Sequence, residues 1–209
     1  MKLIKPDTMF DKIELNLSAG YASNTTKSFT TTPDLELDTS YICKYSFPDI
    51  LLTKSLITLS YYFIQMETYD KMPSGVYIHD LTDHEITLGI RPINNVIPQI
   101  RTSFMIYQSP NIVQTTFIKH KWRQDLLIPA EGYICQTGSP NHIKTSKSIT
   151  QIFSSTPSRT SIGNPFITSY SDYGYNVSFP NHVLAFGDQT AKLNDMTNTM
   201  ISLLITEFK

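Results

Sequence analysis

The stretch "GVYIHDLTDHEITLGI", residues 75 to 90, gathers His79, Asp80, Asp83, His84 and Glu85 within seven positions. Imidazoles and carboxylates at that density are the raw material of a metal site or of acid–base chemistry. Two strand-like halves, "GVYIH" and "HEITLGI", flank "DLTD", where Asp80 and Asp83 suit a turn because their short carboxylates accept bonds from backbone N–H groups. A four-residue loop would set His79 opposite His84 on one face, with side chains about 5 Å apart. Asp80 or Asp83 would then supply a third ligand to zinc or iron. Three features oppose this reading. Metal-binding β-barrels space their paired histidines by a single residue; Glu85 alternates away from His84; and His120, His142 and His182 stand alone. The expectation is a solvated hairpin corner, with a metal site at His79, His84 and Asp80 as the alternative.

Motifs for other chemistry are absent. The chain has no Gly-x-Ser-x-Gly elbow, no glycine-rich phosphate loop and no His-Glu-x-x-His helix. Cys135 and His142 could imitate a thiol dyad, but a Gly-Ser-Pro turn separates them and nothing marks the thiol as activated. Asp34, Glu36 and Asp38 alternate as the solvent face of an edge strand would, which does not place two carboxylates in a groove. The reading is of a non-enzyme that needs no cofactor; the enzymatic alternative is a metal-dependent β-barrel using the two hairpin histidines.

Two segments carry binding chemistry instead. "FIKHKWRQD" (117–125) would project Lys119, Lys121 and Arg123 from one side of a strand, a positive stripe able to touch phosphates weakly and in a salt-sensitive way. Ile112, Ile118 and Trp122 would take the other side, leaving no stacking platform for bases among the cations. "SYSDYGYNVSF" (169–179) crowds Tyr170, Tyr173 and Tyr175 among Ser, Gly and Asn, the side-chain mixture of adaptable recognition loops for glycans or receptors. Its plain alternative is a tyrosine-rich strand packed on the chain's own sheet or on a sister subunit.

The elements that must position these groups read as strands. Only five Ala and eight Gly occur, whereas Ile, Thr, Tyr and Phe abound, the composition of pleated, half-buried surfaces. "SLITLSYYFIQMET" (55–68) alternates with period two, placing Ile57, Leu59, Tyr61 and Phe63 on one face. Shorter runs of the same kind follow throughout, punctuated by "MPSG", "RPINN", "SPN" and "TGSPN". Segment 188–200 is the one helix candidate, with Asp188 as cap. Residues 1–30 read as an extended N-terminal arm, and 137–165 as a long Ser/Thr/Pro-rich surface loop holding one weak strand. "YICKYSFPDILLTKSLIT" (41–58) and "YICQTGSPNHIKTSKSIT" (133–150) share Tyr, Ile, Cys, Pro, Thr, Ile and Thr at a constant offset. Duplication and chance both remain open at this point.

A length of 209 residues is enough for a sizeable core. The net charge of −1 gives no global pull toward nucleic acid or acidic membranes, and no run is long and apolar enough to be a membrane span. The first twelve residues lack a secretory core, and Cys43 and Cys135 read as buried free thiols. These observations predict an all-β, two-sheet antiparallel sandwich, jelly-roll-like in winding, with residues 31–209 as a single domain. Low charge and abundant Thr, Ser and Tyr suit edges and faces covered by other copies. The expected function is a structural, self-assembling subunit of a virion, made in a host cytoplasm and partnered by copies of itself and other shell or appendage proteins. The rival is a glycan- or receptor-binding module built on the tyrosine-rich segment.

Overall fold

The computed structural model describes residues 19–32, 40–64, 75–91, 99–121, 135–138, 147–155, 166–171, 174–178 and 199–209. Within them the chain is all β and antiparallel. In order come β1 (Ala19–Ser28), β2 (Thr30–Thr32), β3 (Ser40–Ser46), a 3-10 turn η1 (Leu52–Lys54), β4 (Ser55–Ile64), β5 (Tyr77–Leu81), β6 (Glu85–Ile90) and β7 (Gln99–Gln108). Then follow β8 (Ile112–Lys121), β9 (Cys135–Gly138), β10 (Ser148–Ser155), β11 (Phe166–Ser171), β12 (Gly174–Ser178) and β13 (Met200–Phe208).

Period-two alternation decides which face each strand buries. On β4, Ile57 and Leu59 point inward while Thr58, Ser60 and Tyr62 are exposed, as the sequence pattern predicts. On β7, Ile100, Thr102, Phe104 and Ile106 are buried, and Arg101 and Met105 face water. β7 lies between β1 and β4 in the first sheet. The second sheet runs β2-β3-β6-β5, and its Tyr41, Cys43, Tyr45, Ile86, Leu88 and Ile90 meet the inner face of the first in one apolar core. Phe29, buried between β1 and β2, turns the chain from one sheet into the other, a corner made by a strand that changes sheets. Phe104 anchors the contact, with its ring centroid 4.8 Å from Tyr45 and 5.4 Å from Phe47.

The remaining strands repeat this plan. The third sheet runs β8-β13-β10 and the fourth β9-β12-β11, matching β1-β7-β4 and β3-β6-β5 position for position. The correspondence extends to detail. The β5–β6 hairpin is bulged between Ile78 and Asp80, and the β11–β12 hairpin between Ile167 and Ser169. Cys43 pairs with Leu88, which pairs with Ile78; Cys135 pairs with Val177, which pairs with Ile167. Lys147 ends a 3-10 segment just before β10, as Lys54 does before β4, and the next residue, Ser55 or Ser148, is buried. The strand plan thus recurs in two units, one spanning β1–β7 and the other β8–β13; the constant offset of 41–58 to 133–150 matches it at Cys43 and Cys135 and runs one residue out of step by Ser55 and Ser148. In each unit the first strand neighbours the last, and the chain crosses repeatedly between sheets.

The expected all-β antiparallel fold is what the described residues show, arranged as four sheets. The arm expected over 1–30 cannot include residues 19–28, which pair along their whole length with β7; residues 1–18 lie outside the described residues. The strand expected within the 137–165 loop is β10, Ser148–Ser155, and it is paired throughout with β13. The helix candidate 188–200 lies outside the described residues except for Thr199 and Met200, and Met200 opens β13.

Candidate functional site

The hairpin histidines are not brought face to face. Leu81 pairs with Ile86 and Asp80 with Thr87, so the tip is formed by residues 82–84, two positions further along than the sequence suggests. That tip position alone separates His79 from His84, and His79 itself falls at the bulge beyond these pairs, without a cross-strand partner in the register. Its Nδ1 instead lies 3.2 Å from the Tyr77 hydroxyl, in hydrogen-bond contact. His84 turns the other way and donates from Nδ1 to the Ile50 carbonyl at 2.8 Å. Among the described residues no three His, Cys, Asp or Glu side chains are grouped to hold a metal ion.

The tip is bound to the 47–54 corner. Phe47 N–H donates to the His84 carbonyl at 2.7 Å, Leu52 N–H donates to the Asp83 carbonyl at 2.6 Å, and the Thr53 hydroxyl donates to the Asp83 carboxylate. Lys44 and Glu85 form a 3.1 Å ion pair across β3 and β6. The acids and histidines of this stretch thus close a corner of the sandwich, satisfying backbone groups that the turn leaves without strand partners.

The basic strand also departs from expectation. A bulge opposite Glu207–Phe208 inserts Val113 between Ile112 and Gln114, and this reverses the phase of β8. Beyond it the odd-numbered residues face inward: Thr115 is buried and Phe117 packs on the first unit's core. Lys119 shares that face and is half-buried, opposite Ser202, so it does not stand on an outer stripe. The side chain of Lys121, and Arg123 altogether, lie outside the described residues.

In the tyrosine-rich segment, Tyr170 of β11 pairs with Tyr175 of β12. Tyr175 is 4% exposed and its hydroxyl accepts from the Thr150 hydroxyl at 2.9 Å. It ties the fourth sheet to the third across the interior, so it is not a free recognition side chain. Tyr173 and the side chain of Tyr170 lie outside the described residues.

Where the sequence pointed to no site, the structure has a pronounced one: the seat of the second unit on the first. Sheet three lays its outer face over the flank of unit one, between edge strands β4 and β5. Tyr77 and Met200 are both fully buried against each other. The Ser202 hydroxyl accepts from Ile78 N–H at 2.6 Å, and the Ser155 hydroxyl accepts from Arg91 N–H at 2.8 Å. The unpaired edge of β4 is covered by side chains in place of a strand: Thr115 donates to the Ser55 carbonyl and Gln151 to the Ile57 carbonyl, each at 2.5 Å. Leu204, Phe117 and Phe153 complete the apolar contact. Gly75 permits this closeness, since a Cβ there would stand 2.4 Å from the Ser154 carbonyl oxygen; within unit one, Gly89 leaves room for the Tyr77 ring across its own strand pair, where a Cβ would stand 2.3 Å from it.

The residues equivalent to this seat elsewhere in the chain are open. The outer face of the first sheet exposes Tyr62 by 54% and Met105 by 47%, and β11 exposes Phe166 by 47%. "RTSFMIYQ" held the signal: once Phe104 and Ile106 are inward, Met105 must face out.

The interior adds one group of unusual polarity. The hydroxyls of Thr25 and Tyr45 are buried with no hydrogen-bond partner among the described residues. Burial raises the Tyr45 phenol and the Cys43 thiol above their ordinary pKa values, and it does the same to Tyr61, whose hydroxyl accepts from Val76 N–H at 3.3 Å. All three are held neutral, a condition for packing and not for nucleophilic attack.

Comparison with protein-family models, with curated proteins and with solved structures finds no match.

Proposed function

We propose that this chain is a structural, self-assembling subunit, with a virion shell or appendage as its setting. The observation that supports the reading is the seat just described: the chain already stacks one sandwich on the flank of another through an outer sheet face. A protein that buries sheet faces and covers strand edges with another copy of the same fold has the surfaces of a building block. Of the candidate reactive side chains of the hairpin, His84 and Asp83 are engaged in closing a corner and His79 contacts the Tyr77 hydroxyl. Partners on this reading are copies of the chain and other shell or appendage proteins.

Negative-stain electron microscopy of the purified full-length chain tests it. Rings, filaments or closed particles of regular size are the expected outcome. A field of single small particles at every concentration would contradict it.

A further inference from the structure

The two units share a strand plan, so the internal contact can be mapped by strand register onto the surfaces it leaves open. On the flank, Tyr77 and Ile78 precede the bulge of β5, and Phe166 and Ile167 precede the bulge of β11. On the sheet face, registering Ser55 with Ser148 fixes the rest. Thr58 pairs with Met105 and Gln151 with Leu204; Ser60 pairs with Ser103 and Phe153 with Ser202. Met105 therefore stands where Leu204 stands, and Ser103 where Ser202 stands.

Burial splits these equivalents cleanly. Tyr77 and Leu204 are 0% exposed because unit two sits on unit one. Phe166 and Met105 are each 47% exposed. Tyr62, on the same face as Met105, is 54% exposed, so three of the four exposed large hydrophobics among the described residues fall on these two surfaces. The hydrogen-bonding pair is also kept in type: Ile78 N–H donates to the Ser202 hydroxyl, and the equivalents are again an Ile and a Ser, Ile167 and Ser103.

We infer that a second copy of this chain repeats the internal seat: the β11 flank of one copy, led by Phe166, docks on the outer face of the first sheet of the next, around Met105 and Tyr62. This rests on the self-assembly reading and names its surfaces. The contact joins two different patches, so it is heterologous. It propagates head to tail, closing into a ring or continuing as a filament according to the rotation per copy. Ser103 would take the Ile167 N–H as Ser202 takes that of Ile78.

Complementation tests this. Phe166→Asp spoils the flank and leaves the face intact; Met105→Asp does the reverse. Both positions are exposed, and unchanged circular dichroism and melting would verify that each variant folds. Sedimentation is expected to show assembly of the natural chain, loss of it in either variant through a weakening of about a hundredfold or more, and a two-copy species on mixing the variants. Assembly of both variants as in the natural chain would overturn the inference while leaving self-assembly standing. Variants that stay single even when mixed would also overturn it, since the contact would not then be head to tail. A natural chain that never assembles would remove the underlying reading as well.

Discussion

Tyr77 and Phe166 hold the same position in two copies of one strand plan, each two residues ahead of a bulged one, yet Tyr77 is sealed at 0% exposure and Phe166 is 47% exposed. The difference arises because Met200 and the rest of the third sheet's outer face cover Tyr77. The chain thus displays, side by side, a filled seat and an open one.

Gly75 sets how closely the units approach. Gly75→Ala would drive a Cβ to 2.4 Å from a backbone oxygen of β10, which has no flexible end to move aside. The expected cost is about 1–3 kcal/mol of stability. Urea unfolding would show it as a lowered midpoint.

Thr115 donates its one hydroxyl proton to the Ser55 carbonyl and lies 3.0 Å from the Thr206 hydroxyl, which donates to it in turn, all within the buried seat. Thr115→Val keeps the volume and removes the hydroxyl, leaving the Ser55 carbonyl without its donor and Thr206 without its acceptor. A loss of about 1–3 kcal/mol is expected. In a double-mutant cycle, Thr206→Val should cost measurably less in the Thr115→Val background than in the natural chain.

His84 is predicted to act through structure. His84→Ala removes the bond to the Ile50 carbonyl, for a loss of about 0.5–1.5 kcal/mol. Zinc or iron added to the natural chain should leave its melting temperature unchanged, as followed by calorimetry. A metal-dependent rise abolished in His79→Ala would restore the metal reading.

The alkaline limb of stability follows from the buried acids. The folded-state pKa of Cys43 is raised from 9.0, and those of Tyr45 and Tyr61 from 10.0, by burial. A raised folded-state value means the contribution is complete below the ordinary value and is lost as pH rises from there through the folded one. Stability should therefore hold from neutrality to about pH 9 and then fall, each group steepening the loss by up to about 1.4 kcal/mol per pH unit. Tyr45→Phe should flatten that fall. It should also be neutral or stabilising at neutral pH, because it removes a buried hydroxyl that has no partner among the described residues.

Much of the fold was legible in the letters, and the site largely was not. Period-two runs located β4 and β7 and their inward faces because Ile57, Leu59, Phe104 and Ile106 face one core. β13 was found as an apolar run, but its position between two covered faces was hidden, since a strand buried on both sides has no alternation to read. Turn placement and bulges account for the misplaced chemistry. A turn set two positions further along moved the hairpin register, a residue inserted at His79 left that histidine unpaired in the ladder, and another at Val113 turned Lys119 inward; no local composition announces such an insertion. The repeat was visible only as a short similarity between 41–58 and 133–150. Strand order and matching bulges decide it, and those are properties of pairing and not of residue type.

The account is tested most directly by sedimentation equilibrium of the natural chain and of Phe166→Asp across a concentration series. It predicts a mass rising well above the 23.8 kDa of one copy for the natural chain, and a mass held at that value for the variant. A natural chain that stays at 23.8 kDa throughout would contradict it.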